Sequence, residues 1–337
     1  MATLAVRPLA PLDVPMLHRV MQQCERLDML GDAPVVPDLA NRVLAVLLTR
    51  AVRDRIFVAL VDGELCALLA VRTQERRFRW DVIAVAAGSP RLDANERVCV
   101  ELWTAMLEYA IRGAGESGAK RLFASCHDDS PARESLRNVG FDAYSQYAVL
   151  NGCVEASLIA LPAGMRPQED SDVWSIHQLY HQTTPRAVQF AEALTSTAWE
   201  LPTRLPWLRG GLQRPSTTAF VLETLDGIEG YCRIVQTSRR AVATLLVSDG
   251  CRDRAAGLVN ASALHAGIRR NMALDIVIPG YMGDLVTRLE DLGFSVRDER
   301  IALVRHTTVP ALVQTRLVHA HAESTERVPK GVPSYFQ

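Results

Sequence analysis

The stretch SDGCRDRAAGLV, residues 248–259, has the composition of an anion-binding loop. It follows the apolar run AVATLLVS and precedes a segment that predicts a helix over 253–269. N–H groups at a helix N-terminus favour an anion, and glycine lets the anion approach the backbone closely. Arg252 and Arg254 can face phosphate oxygens, whereas Asp253 opposes them. An ordinary charged helix start explains the pattern equally well.

The chain has 337 residues, which favours two domains. Hydrophobic residues make up 48% and charged residues 22%, as is typical of soluble globular proteins, and the net charge is -1. This balance gives no electrostatic reason to expect nucleic acid or an anionic membrane as partner. No signal-peptide pattern or membrane-length apolar stretch is visible, so we expect a cytoplasmic protein.

Cysteine and histidine spacing predicts no metal site. The seven cysteines form no CxxC pair, so buried thiols explain them better than disulfides or zinc. The HAH sequence at 319–321 has no further ligands at metal spacing. The oligomeric state stays open.

The chain contains an internal repeat. RPLAPLDVPMLHRVMQQ begins at Arg7, and RPQEDSDVWSIHQLYHQ begins at Arg166. Each copy has an aspartate, Asp13 or Asp172, where the N-cap of an amphipathic helix belongs. Both halves are therefore expected to open with a capped helix.

A hairpin, a third strand and a βαβ unit follow in each half. Asp62-Gly63 and Asp226-Gly227 join apolar runs and predict type I′ turns. Helices are predicted over 94–113 and 253–269, and each half then ends in a helix and Gly-Phe. Hairpins mixed with crossovers predict an α/β fold, an α+β mixed sheet flanked by helices. The predicted boundaries are 1–157, 158–310 and a tail over 311–337.

The RPxxxxD starts, the Asp-Gly hairpins and the VGF and LGF ends resemble tandem GCN5-related N-acetyltransferase (GNAT) domains over about residues 4–306. The resemblance implies acetyl-CoA as co-substrate, lying between two splayed strands with its pyrophosphate on the loop before the long helix. In the second half, the implied cofactor-binding residues are Val247, Arg252, Asp253, Arg254, Ala255, Ala256 and Gly257. The first-half loop, 89–100, carries Asp93 and Glu96 and has no glycine, which favours a structural role.

The sequence indicates a general acid and a general base less clearly than it indicates the cofactor-binding residues. The family pattern NxxAxxxYxxxGF fits residues 129–141, but Leu136 and, in the second copy, Leu289 stand where its tyrosine acid belongs. Tyr281 is the nearest substitute, and an ordinary core or surface tyrosine is the alternative. Asp81 is the candidate base, with a hydrogen-bonding or exposed residue as the alternative reading. Glu223 and Glu229 are further candidate bases.

The segment 197–218 combines tryptophans, arginines and prolines, where an acceptor would be contacted in the resemblance; a rigid connector is equally plausible. The leading hypothesis is an acetyl-CoA-dependent N-acetyltransferase in which an amine of a small molecule or peptide attacks the thioester directly, in the second half. The alternative is a degenerate, non-catalytic tandem GNAT fold that binds a ligand or protein.

Overall fold

The computed structural model describes the chain in nine stretches: 3–21, 24–28, 54–74, 78–88, 96–153, 162–202, 216–237, 240–268 and 272–307. The predicted tail over 311–337 lies outside them, as do Asp93 and most of the segment 197–218.

Within the described residues, the strands and helices follow the predicted order except for a short strand over Cys24–Arg26, which the sequence does not predict. The strands are β1 (Leu4–Pro8), β2 (Cys24–Arg26), β3 (Asp54–Val61), β4 (Glu64–Gln74), β5 (Arg79–Ala87), β6 (Arg121–Cys126), β7 (Asp142–Cys153), β8 (Met165–Pro167), β9 (Ser216–Thr224), β10 (Gly227–Gln236), β11 (Ala241–Val247), β12 (Ala273–Pro279) and β13 (Ser295–His306). The helices are α1 (Val14–Val20), α2 (Glu96–Glu116), α3 (Pro131–Asn138), α4 (Val173–Thr183), α5 (Arg186–Glu192), α6 (Ala255–His265) and α7 (Asp284–Glu290).

These strands form one mixed sheet in which the last strand of each half pairs within the other half. The order is β1-β3-β4-β5-β6-β13-β7-β12-β11-β10-β9-β8, with β2 paired to β5. β7, from the first half, pairs antiparallel with β12 of the second half. β13, from the second half, pairs antiparallel with β6 of the first half and with β7. The sheet is therefore continuous from one half to the other.

Helices cover both faces of this sheet. In the first half, Leu102 and Met106 of α2 pack with Leu136 of α3 on one face, and Leu17 and Val20 of α1 pack on the other. In the second half, one buried cluster joins residues of α4, α6 and α7 to the strands. The predicted mixed α/β sheet flanked by helices is confirmed.

The two predicted hairpin turns differ. Asp62 and Gly63 have φ values of 50° and 82°, so positive φ at both positions is confirmed. In the second half, Gly227 already pairs with Thr224, so the turn consists of Leu225 and Asp226, and only Gly227 has a positive φ. The type I′ prediction is wrong there because the register places the glycine in the strand. The Thr224 hydroxyl accepts from the Asp226 N–H at 3.2 Å and holds this turn.

Both Gly-Phe motifs end helices as predicted. Gly140 follows α3 with a φ of +78°, and Gly293 follows α7 with a φ of +85°. Leu136 and Leu289, at the tyrosine positions of the family pattern, are 0% and 1% exposed in the two cores. Both leucines therefore contribute to core packing.

An arginine–aspartate pair opens each half with the same geometry. Arg7 donates to Asp13 at 2.7 and 2.8 Å, and Arg166 donates to Asp172 at the same distances. Asp13 and Asp172 occupy the N-cap positions of α1 and α4 as predicted, but neither side chain makes a capping hydrogen bond to its helix. Each ends a 3-10 turn and accepts the N–H of the residue three positions earlier, at 2.7 Å. The carboxylate thereby ties the turn to the preceding edge strand.

No helix in the described stretches has the length and apolar character needed to cross a membrane.

The second-half pair makes stability depend on pH. The hydrogen bonds from Arg166 lower the pKa of Asp172, so its stabilising effect is present above the unfolded pKa and is lost as pH falls through the folded one. We expect Asp172→Asn to reduce the free energy of unfolding by about 2 kcal/mol at pH 7. In urea titrations, this deficit should shrink below about pH 4. The exposed Asp226→Asn is the control; a deficit that does not change with pH would contradict the account.

Candidate functional site

Each half contains a gap between two parallel strands. β5 and β6 pair only where Arg79–Asp81 meet Arg121–Phe123. β11 and β12 pair only where Ala241–Thr244 meet Leu274–Val277. Beyond these residues the two strands of each pair no longer bond to one another. The remaining backbone groups along the gap are therefore open to another partner.

In the first half, residues 24–28 of the same chain fill the gap. β2 pairs with residues 84–86 of β5, and the Leu27 N–H donates to the Ile83 carbonyl at 2.8 Å. On the other side, the Ser125 N–H of β6 donates to the Leu27 carbonyl at 2.7 Å. Leu27 and Asp28 are 0% and 1% exposed. This segment therefore satisfies strand edges on both sides of the gap.

In the second half, the gap borders a cavity of about 190 Å³. No strand among the described residues lies between β11 and β12. The walls include Leu245 and Leu246 from β11, Pro279 from β12, and Tyr144 and Tyr147 from the exchanged strand β7. A cavity of about 150 Å³ can hold benzene, so this one has room for a small ligand. We call it the junction cavity because both halves line it.

Tyr281 lies at the open end of the gap. It sits in the 3-10 turn Gly280–Met282, directly after β12, and its ring lines the junction cavity. Burial raises the pKa of Tyr281 to about 12; the nearby Glu192 charge also raises it, while a hydrogen bond with Thr184 opposes the shift. The Thr184 and Tyr281 hydroxyl oxygens are 3.4 Å apart. The phenol therefore remains protonated at neutral pH.

Glu192 brings a carboxylate to the same cavity from the last residue of α5. It accepts a hydrogen bond from the Tyr180 hydroxyl at 2.8 Å. Burial and this carboxylate raise the pKa of Tyr180 far above its ordinary value, so Tyr180 stays protonated at neutral pH and donates to Glu192. A carboxylate that faces a cavity can accept a proton from a bound ligand or pair with an ammonium group.

Aromatic rings form a wall beside Glu192. The ring centroids of Tyr180 and Trp199 are 5.5 Å apart, and those of Trp199 and Tyr231 are 5.7 Å apart. Trp199 belongs to the segment 197–218, and its indole N–H donates to His177 at 3.1 Å. The other tryptophan of that segment and its three arginines lie outside the described residues; they are Trp207, Arg204, Arg209 and Arg214.

Beside this wall, two buried polar atoms of strand β10 lack a hydrogen-bond partner among the described residues. They are the hydroxyl of Tyr231, a residue that is 1% exposed, and Nε of Arg233. Burial raises the pKa of Tyr231 to about 12, so its hydroxyl keeps its proton. A buried unsatisfied polar group carries a desolvation cost of about 1–3 kcal/mol. Both groups can donate, which suits a ligand with acceptor oxygens.

The stretch that suggested a phosphate site folds as a 3-10 turn, Asp249–Arg254, that runs directly into α6. Arg252 forms ion pairs with Asp249 at 2.7 Å and with Asp284, and Arg254 donates to the Ala163 carbonyl. The other residues of this group are buried Val247 and Ala255, half-buried Ala256 and Gly257, and exposed Asp253. Phosphate binding by either arginine therefore competes with contacts inside the chain.

The candidate bases lie away from the junction cavity. Asp81 is 4% exposed and is held by Arg79 at 2.5 Å and by Gln74. Arg79 lines the cavity, whereas Asp81 contacts Arg79 and does not line the cavity itself. Glu223 pairs with Arg166 at 2.7 Å, and the carboxylate of Glu229 accepts from the Cys251 thiol at 2.8 Å. The structure thus brings Tyr281 to the cavity and none of these three acids.

Solved structures with the same fold are known. A GCN5-related N-acetyltransferase from Sphaerobacter thermophilus aligns over 91% of this chain and 96% of its own, with 15% identity and a TM-score of 0.53. A tandem GNAT protein from the clavulanic acid biosynthesis pathway aligns over 91% of this chain and 99% of its own, with 15% identity and a TM-score of 0.51. The chain has the tandem GNAT fold. No family model and no curated protein matches its sequence.

Sequence reasoning missed the residues that give this GNAT fold its asymmetry. β2 is a three-residue strand, CER, with no apolar alternation to reveal it. Glu192 belongs to no motif, and its place at the cavity depends on how α5 packs. Tyr231 lies within a hairpin strand, where a buried tyrosine is ordinary. A polar aromatic at the buried centre of this strand is the one signal that could have been followed.

The inserted segment should be an integral part of the first-half core. Leu27→Ala removes a side chain that is 0% exposed, so we expect the free energy of unfolding to fall by about 3 kcal/mol in urea titrations. Leu225→Ala is the control, because Leu225 is fully exposed and should change stability by less than about 0.5 kcal/mol. A similarly small effect for Leu27 would mean that the segment does not close the gap.

Proposed function

We propose that the chain is an acetyl-CoA-dependent N-acetyltransferase that works from its second half and modifies an amine of a small molecule or peptide. One observation carries the proposal: the gap between β11 and β12 borders a cavity that contains both a protonated phenol and a carboxylate. In the GNAT family, acetyl-CoA lies between the equivalent strands. The equivalent gap of the first half is filled by residues 24–28, which supports a single site per chain.

The strand edge beyond Thr244 would receive the amide-bearing arm of acetyl-CoA, because its backbone groups do not pair with β12. Residues at the start of α6, with Gly257 in its first turn, would face the phosphates. Bound there, acetyl-CoA supplies a thioester carbonyl as the electrophile. The junction cavity would hold the amine on the side of the sheet covered by α4 and α5.

Glu192 and Tyr281 would share the proton transfers. Glu192 would take a proton from the ammonium form of the acceptor, directly or through water, which frees the nitrogen lone pair. The nitrogen would then bond to the carbonyl carbon as the carbon–sulfur bond breaks, and Tyr281 would donate its phenolic proton to the leaving sulfur, giving the CoA thiol. The second proton of the nitrogen would pass through water to the Tyr281 phenolate, which leaves a neutral amide, and Glu192 would release the first proton to solvent. Because the pKa of Tyr281 is about 12, the phenol is fully protonated at neutral pH.

The alternative is a tandem GNAT fold that binds a ligand or protein without catalysis. The ion pairs of Arg252 with Asp249 and Asp284 favour it, because they occupy a cation expected to face phosphate. Asp81, held by Arg79 and Gln74, also has no direct place in a reaction at the cavity. The two functions differ in whether acetyl-CoA binds and whether an acetyl group is transferred.

Calorimetric titration with acetyl-CoA tests binding. We expect one molecule per chain, and Gly257→Asp should weaken binding about tenfold, because a carboxylate near a helix N-terminus opposes the phosphates by up to about 2 kcal/mol. Gly115→Asp is the control, since Gly115 also lies in a helix and a Cβ there meets no atom within 4 Å. No binding to the wild type would exclude the enzyme, and two molecules per chain would exclude a closed first-half gap.

Steady-state kinetics with an accepted amine test the two proton-transfer roles. Tyr281→Phe should lower kcat about 10²-fold with little change in KM, because only the leaving group loses its donor. Glu192→Gln should lower kcat/KM near pH 7, and the loss should shrink at higher pH, where more of the amine is already neutral. Tyr109→Phe, which alters a half-buried first-half phenol away from the cavity, is the control. Unchanged kcat in Tyr281→Phe would remove this residue from the mechanism.

A further inference from the structure

A second cavity adjoins the junction cavity and opens between the two halves. It has a volume of about 250 Å³, and Arg79, Glu192, Leu194 and Ala198 line both cavities. First-half residues, among them Phe78, Lys120 and Arg121, complete its lining. We call this cavity the mouth. A ligand in the junction cavity that extends past Glu192 therefore reaches the mouth.

Two cations of the mouth form no ion pair with the described residues. Arg121 makes no ion pair with the described residues, and its Nε has no hydrogen-bond partner. Lys120 is exposed, and its Nζ lies 5.2 Å from the centre of the Phe78 ring with no ion pair in the described stretches. Arg79 differs, because Asp81 pairs with it at 2.5 Å. Two positive charges without an ion pair among the described residues thus line the mouth, while Glu192 lines both cavities.

Backbone hydrogen bonds hold the main chain at Lys120 in place. The Lys120 N–H donates to the Phe78 carbonyl at 2.7 Å, and the Lys120 carbonyl accepts from Thr307 at 3.1 Å. Phe78 has a φ of +48°, which is rare for a bulky residue, and its side chain remains 54% exposed. Strain of this kind persists only where neighbouring contacts enforce it. The backbone at Phe78 and Lys120, which line the mouth, is therefore held in a defined conformation.

We propose that the mouth binds an anionic group of the acceptor, so that the substrate is an amine that also carries a carboxylate or phosphate. The proposal rests on the proposed N-acetyltransferase function. The ammonium group lies at Glu192, the carbon skeleton packs on the aromatic wall, and the anion meets Lys120 and Arg121. The first half, whose own gap is closed, thereby supplies substrate recognition to the site in the second half.

Matched pairs of amines test this assignment. Phenylalanine is compared with phenylalaninamide, and phosphoethanolamine with ethanolamine, by following CoA thiol release with acetyl-CoA. We expect kcat/KM for at least one anionic member to exceed that of its neutral partner tenfold or more, mainly through KM. The pair that shows the preference distinguishes a carboxylate from a phosphate. The same four amines are titrated calorimetrically, so binding is measured independently of acetyl transfer.

Variants of Lys120 and Arg121 test whether the preference for the anionic amine arises at the mouth. The double variant Lys120→Gln/Arg121→Gln should reduce this preference to about twofold and leave kcat with the neutral amines unchanged. Lys120→Gln alone, at an exposed position, should reduce it in part even where the double variant is unstable. Arg288→Gln removes the same charge from exposed α7 and should change nothing.

Three results would overturn the proposal. Equal use of charged and neutral amines by the wild type would remove the anion site and leave the acetyltransferase function intact. A preference that survives both Gln variants would place the anion elsewhere. Calorimetric binding of neither anionic amine would exclude the mouth as their site. Binding that depends on Lys120 and Arg121 without acetyl transfer to any amine would instead refute the proposed function and retain the anion site.

Discussion

The exchange of β7 and β13 is the constraint on which the rest of the structure depends. Each of these long strands follows the last helix of its own half, yet each pairs with an inner strand of the other half. They also pair with each other, so the sheet has no break between the halves. Because backbone hydrogen bonds cross the junction, the halves cannot rotate independently without breaking the sheet. The cavity between them therefore has walls of fixed geometry.

The two halves contain the same structural features, but the gap between the parallel strands has a different role in each. Both open with an arginine–aspartate pair of identical geometry, and both contain parallel strands that separate after a few residues. In the first half, residues 24–28 satisfy the strand edges, so that gap serves stability. In the second half, the gap borders a cavity with a protonated phenol and a carboxylate. In the function that we propose, the duplicated fold places the chemistry in one copy and contacts to the substrate from the other copy beside it.

The fold was largely predictable because it rests on local signals. The RPxxxxD repeat, the Asp-Gly hairpins and the Gly-Phe helix ends are set by turn and capping chemistry that depends on a few neighbouring residues. The site was much less predictable. Tyr281 could be predicted because it lies close in sequence to the family's helix motif. Glu192, Tyr231 and the filled first-half gap could not, because they depend on contacts between distant parts of the chain. The strand exchange itself leaves no trace in sequence, because β7 and β13 have the same apolar pattern in either pairing.

The central claim is that the second half alone holds an open acyl-CoA site. A crystal structure of the full chain with CoA tests it most directly, because it shows which gap the ligand enters. We predict one CoA between β11 and β12, with its sulfur near Tyr281 and residues 24–28 still paired to β5. CoA between β5 and β6, with residues 24–28 displaced, would contradict the account.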